Sequence, residues 1–116
     1  MSTTFQHINT AQIDTLSAGD MVFKKELAQI FLEQIDEFTT NMGSFLASEQ
    51  WDKLAREAHT AKSSAMTFGM EKTGTLLKKI QLECEAGNLN EVPQMVQDAI
   101  HQLQAAVPEL NQILNG

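Results

Sequence analysis

The stretch 20–47, DMVFKKELAQIFLEQIDEFTTNMGSFLA, decides the fold. Its apolar residues Phe23, Leu27, Ile30, Phe31, Ile35, Phe38, Met42 and Phe45 recur at intervals of three and four. That rhythm draws one apolar stripe down a long helix. A helix cannot cover its own stripe, so other segments of the chain must.

Those segments lie on both sides. Upstream, residues 10–17 form a short amphipathic segment in which Ile13 and Leu16 share a face, and Gly19 and Asp20 break and cap the chain before the long helix. Downstream, Ser48 is the expected N-cap of a helix that buries Trp51, Leu54, Ala55, Ala58, Ala61 and Ala65 and stops at Gly69. A further helix over about 71–86 groups Thr73, Leu76, Leu77, Ile80 and Cys84 and ends at Gly87 and Asn88. Asn90 caps the last one, with Pro93 in its first turn and Val96, Ala99, Ile100, Leu103, Val107, Leu110 and Leu114 along its stripe. Pro108 falls inside that stripe and is expected to kink it or split off a short final helix. Four long amphipathic helices with short loops predict an all-α fold, an antiparallel four-helix bundle with a short extra N-terminal helix.

The remaining composition narrows the function. A chain of 116 residues is expected to be a single domain, 1–116, with one core, and its opening at Met1 suggests a free-standing protein. A net charge of −7 disfavours nucleic acid and anionic lipid as partners. No run of about 18 apolar residues is present to span a membrane, and the opening Met-Ser-Thr-Thr-Phe-Gln-His has no basic region with an apolar run behind it, so no secretory signal is expected. The lone Cys84 builds neither an internal disulfide nor a zinc site, which fits a reducing cytoplasm. The apolar stripes can all be covered within one chain, so a monomer is expected.

The chemistry points to the third long helix, where Ala58-His59-Thr60-Ala61-Lys62-Ser63-Ser64-Ala65 runs on to Phe68-Gly69. Its core face is mostly alanine, which lets a neighbouring helix approach closely. His59 follows core Ala58 and lies about 100° around the helix from it, on an accessible flank. A neutral imidazole is a competent nucleophile toward phosphorus near pH 7. Lys62, one turn on, can neutralise a phosphoryl group as a mobile point charge, and small Ser63 leaves room for a protein donor. Taken alone, a surface histidine beside a lysine is most often just that. His7 and His101 carry no such neighbours and get only that reading.

This stretch resembles the signature of the histidine phosphotransfer (HPt) family, Ala-His-x-Leu-Lys-Gly-Ser-Ala followed by an apolar residue and Gly. The similarity extends to the helix layout over essentially the whole chain. Two positions depart from the pattern: Ala61 stands for the usual Leu and Ser63 for the usual Gly. The resemblance implies a phosphocarrier rather than an enzyme. His59 would take a phosphoryl group from the aspartate of a response-regulator receiver domain and pass it to another receiver. A hybrid sensor histidine kinase is an expected partner. Mg²⁺ would belong to the receiver, and no cofactor is expected here. The docking surface is expected to comprise Ala55, Ser63 and Met66, with Ile13, Leu16 and Phe23 either an apolar rim to it or plain helix-capping core. Gln34 has two open readings. It is either the polar residue that hydrogen-bonds near the histidine in such modules, or a boundary residue with a solvated amide.

Two other classes compete. A non-phosphorylated helical adaptor would have no need of both His59 and Lys62. A bundle enzyme or metal carrier needs Glu-x-x-His pairs, and the sequence contains none.

Overall fold

The computed structural model describes residues 5–116, and among them six helices and no strand. In chain order these are α1 (Ala11–Ser17), α2 (Met21–Ala47), α3 (Trp51–Thr67), α4 (Glu71–Ala86), α5 (Val92–Ala105) and α6 (Val107–Asn115). Helices α2, α3, α4 and α5 form the expected antiparallel bundle, each packed on two others, with α3 and α4 in the most extensive contact. The molecule is a rod of 46 × 20 × 19 Å.

Local chemistry sets the boundaries. Asp20 caps α2 by accepting hydrogen bonds from the backbone N–H groups of Val22 and Phe23, at 3.0 and 3.2 Å. A cap of this kind stabilises a helix by about 1 kcal/mol. Ser48 closes α2 rather than opening α3. Its hydroxyl donates to the Ser44 carbonyl at 2.8 Å, and Glu49 turns the chain with φ +55°. The residue before α3 is Gln50, and the residue before α5 is Glu91 rather than Asn90. Neither caps its helix with its side chain. Pro108 does split off a final helix: α5 ends at Ala105 and α6 restarts at Val107, resting against α2. The proline ring would clash with the carbonyl four residues back in a continuous helix.

The core follows the expected stripes with two corrections. Phe31, Ile35, Phe38 and Met42 of α2 are buried, joined by Ala28. Ile30 is 50% exposed and Phe23 40% exposed. Ile30 lies about 100° around the helix from Phe31, outside the arc that α3, α5 and α6 cover. From α3 the core takes Leu54 and the alanines 55, 58, 61 and 65. Leu77 and Ile80 of α4, and Val96, Ala99 and Leu103 of α5, face them.

The turn after α3 is locked from outside. Gly69 has φ +69°, and a Cβ there would lie 2.5 Å from the Cβ of Asn9 and 2.6 Å from its carbonyl oxygen. Only glycine fits both constraints. The segment 5–10 crosses at this point, with the Asn9 amide donating to the Phe68 carbonyl at 2.8 Å. Its other anchor is Glu109 of α6, buried, whose carboxylate accepts from the amides of Gln6, His7 and Ile8 at 3.0–3.2 Å. Phe68 stacks on Phe31 with centroids 4.6 Å apart, which ties this turn to α2.

Candidate functional site

His59 lies on the exposed flank of α3, one position beyond fully buried Ala58. Gln81 stands in the same relation to Ile80 on α4, which is also fully buried. The two helices run antiparallel across an alanine-lined seam, so these flank positions face each other. His59 Nδ1 and Gln81 Oε1 are 3.1 Å apart. The other end of the Gln81 amide decides who donates. Its Nε2 donates to a Glu85 carboxylate oxygen at 3.2 Å, and an ionised carboxylate only accepts. The amide oxygen therefore faces the imidazole, and Nδ1 carries the hydrogen. That tautomer leaves the lone pair on Nε2, the ring nitrogen not engaged by Gln81.

Lys62 is half-buried one turn along α3, and among the described residues no carboxylate forms an ion pair with it. Ser63, also one turn from His59, is exposed, and its small side chain leaves the approach shallow. Met66, two turns along the same face, is 41% exposed. The helix therefore presents His59, Lys62, Ser63 and Met66 together.

Other expected site residues fall elsewhere. Gln34 is half-buried, and its amide oxygen accepts the Ser64 hydroxyl at 2.9 Å. Its hydrogen bond therefore runs to α3 at a position well around the helix from the imidazole. Ala55, 4% exposed, and Ile13, fully buried, are core residues with no surface to offer a partner. Both point inward: α1 packs its Ile13 side on α2, and α3 lies between α2 and α4. Leu16, 55% exposed, and Phe23 do reach the surface, beside the exposed Met21, Val22 and Ile30. The pairs Gln34–Ser64 and Asn41–Glu57 set the α2–α3 register. This register places the apolar rim toward the end of α3 that carries Met66.

The residue that sequence reasoning missed is Gln81. Glutamine on a helix flank has no distinctive spacing. The one available signal was its place beside buried Ile80, mirrored by His59 beside Ala58.

Lys24 Nζ sits 2.7 Å from Asp14 and holds that carboxyl below its ordinary value, tying α1 to α2. Burial pushes the Cys84 thiol up. Among the described residues no group of three or more His, Cys, Asp or Glu side chains is placed to hold a metal. Nor does any described helix have the length and apolarity to cross a membrane.

Comparisons with known proteins bear on the fold and the family. In fold the chain is similar to the crystal structure of histidine-containing phosphotransfer protein B (HptB) from Pseudomonas aeruginosa PAO1, with a TM-score of 0.87 at 14% identity and 97% of both chains covered. In sequence it is similar to the phosphorelay intermediate protein YPD1 of Candida albicans, 27% identical over 71 residues. Those residues make up 61% of this chain and 39% of that protein, so the chain spans well under half of the relative's length. The family model of the Hpt domain matches residues 26–113, from the first turns of α2 to the end of α6 and across the whole His59–Gln81 seam, and the chain belongs to that family.

Proposed function

We infer that this chain is a phosphorelay intermediate that carries a phosphoryl group on Nε2 of His59 between receiver domains. The observation that carries this reading is the imidazole itself: exposed, tied through Nδ1 to Gln81, and beside a lysine free of any ion pair among the described residues. In the transfer step the Nε2 lone pair attacks the phosphorus of a receiver's aspartyl phosphate. The bond from phosphorus to the aspartate oxygen breaks, and the carboxylate leaves with its electrons. The Nδ1 hydrogen stays on the ring and bonds to Gln81 Oε1 while the ring gains positive character. Lys62 offsets charge on the phosphoryl oxygens. The receiver brings Mg²⁺ and the acidic catalytic pocket; this chain brings nucleophile and docking face, and acts as a carrier rather than as an enzyme. The reverse sequence hands the group to a second receiver aspartate. A hybrid sensor kinase supplies the first receiver, and a monomer in the cytoplasm suits both exchanges.

The test is labelling by radiolabelled, phosphorylated receiver domains from the source cell. Wild type acquires acid-labile label and His59→Gln acquires none, while both retain the same helical circular dichroism. Label on His59→Gln overturns the site. Binding of receivers without labelling of wild type gives the adaptor reading instead.

A further inference from the structure

Gly74 is a buried residue near the start of α4, within helical backbone, where alanine is more stabilising. Its conformation there does not require glycine. What uses the missing side chain is the neighbour on α3. A Cβ on Gly74 would lie 2.4 Å from the Met66 sulfur, 3.0 Å from Met66 Cγ and 3.8 Å from Lys62 Cγ. The missing side chain is thus a seat into which the Met66 thioether drops, with the stem of Lys62 along its edge. The seam repeats here the register seen at His59. Two turns on from His59 along α3 comes Met66, and two turns back from Gln81 along α4 comes Gly74. Methionine is unbranched and adopts many rotamers on an open surface, so a sulfur held in a notch has a defined shape that an unseated one lacks.

We propose that Gly74 is a positioning residue for phosphotransfer. It seats Met66 as an apolar knob of fixed shape on the His59 face, and a receiver domain reads that knob when it docks. The inference rests on the transfer role proposed above and concerns recognition rather than chemistry. Gly74 touches neither His59 nor Gln81. Its effect therefore belongs in the KM for the receiver, with kcat nearly unchanged. Met66 is the far end of a flexible side chain and can swing away from a new methyl group. Gly74→Ala is accordingly expected to fold, with a thermal midpoint at or above wild type. A purely structural glycine would show the opposite sign.

The experiment uses the receiver domain that labels wild-type His59 fastest among those of the source cell, with four proteins: wild type, Gly74→Ala, Met66→Ala and the double variant. Gly74→Ala and Met66→Ala should each raise KM about fivefold, the scale of one truncated interface contact. The double variant should match Met66→Ala alone, because without the knob the seat is irrelevant. On the free protein, the ¹³C-methyl resonance of Met66 should shift between wild type and Gly74→Ala. A wild-type KM in Gly74→Ala, additive effects in the double variant, or an unmoved Met66 methyl each overturn the proposal while leaving His59 as acceptor. If no receiver labels the wild type, the transfer reading falls, and this inference with it. If Gly74→Ala fails to fold, Met66→Ala alone decides, and a wild-type KM in that variant overturns the knob.

Discussion

Removing the Gln81 side chain tests the site where its geometry is most specific. In Gln81→Ala the Nδ1 hydrogen loses the acceptor 3.1 Å away, and water replaces it. The lost bond does two things: it holds the tautomer that frees Nε2, and it stabilises the ring as Nε2 gains a bond to phosphorus. A net hydrogen bond contributes about 0.5–1.5 kcal/mol, which converts to a roughly two- to thirteen-fold change in rate. His59 is exposed and Gln81 half-buried, so water compensates well and the lower part of that range applies, about threefold. The assay is single-turnover labelling by a phosphorylated receiver in excess, which isolates the transfer step. In parallel, ¹⁵N spectra of the imidazole report which nitrogen holds the hydrogen. Wild type should show Nδ1–H dominant, and Gln81→Ala should show a mixture. Unchanged labelling together with unchanged ring-nitrogen shifts would refute the argument that Gln81 orients the nucleophile.

Three further outcomes follow from contacts elsewhere. Lys62→Ala should leave the fold intact and slow labelling several-fold, since a charge contact at an open site is worth about 1 kcal/mol at most; an unchanged rate would remove Lys62 from the mechanism. Glu109→Ala should lower stability by about 2 kcal/mol, read as a lower urea midpoint at constant slope, because three amides lose a charged acceptor and the Ile8 amide is buried. The Asp14 carboxyl, lowered by Lys24, contributes stability above its unfolded value of about 3.9 and loses it as pH falls through the lower folded value. The side chain is 51% exposed, so the effect stays under about 1 kcal/mol and shrinks with salt. A carboxyl titration by NMR, at low and high salt, checks both sign and screening.

The architecture was legible because helical periodicity is a property of the chain alone. The stripe through Phe31, Ile35, Phe38 and Met42 needs no partner to be seen, and neither does the break at Pro108. What periodicity leaves open is the width of the covered arc. Ile30 and Phe23 fit the pattern and still emerge at the surface, while Ala55 and Ile13, expected at the docking face, are covered. Ser48 satisfied the composition of an N-cap and instead closed the helix before it, since a serine hydroxyl serves either end. At the site, His59 and Lys62 were readable within one turn of one helix. Gln81 was not, because a contact between helices depends on a register that neither helix encodes by itself. Gln34 shows the same limit from the other side: the right kind of residue, committed to Ser64 instead.

The alanines 58, 61 and 65 have a consequence for how faithfully the site holds its shape. Alanine has no χ angle, so the α3 side of the seam, packed on Leu77 and Ile80 of α4, has no rotamers to repopulate with temperature. Between helices joined by leucines, a shift in side-chain packing can be absorbed before it reaches the backbone. Here the α3 side of the seam is backbone and Cβ atoms alone, and the close approach it allows brings His59 and Gln81 within 3.1 Å of each other. A single methyl group added at one of these alanines has no rotamer of its own to yield, so it would push α3 from α4 and be felt at the His59–Gln81 pair.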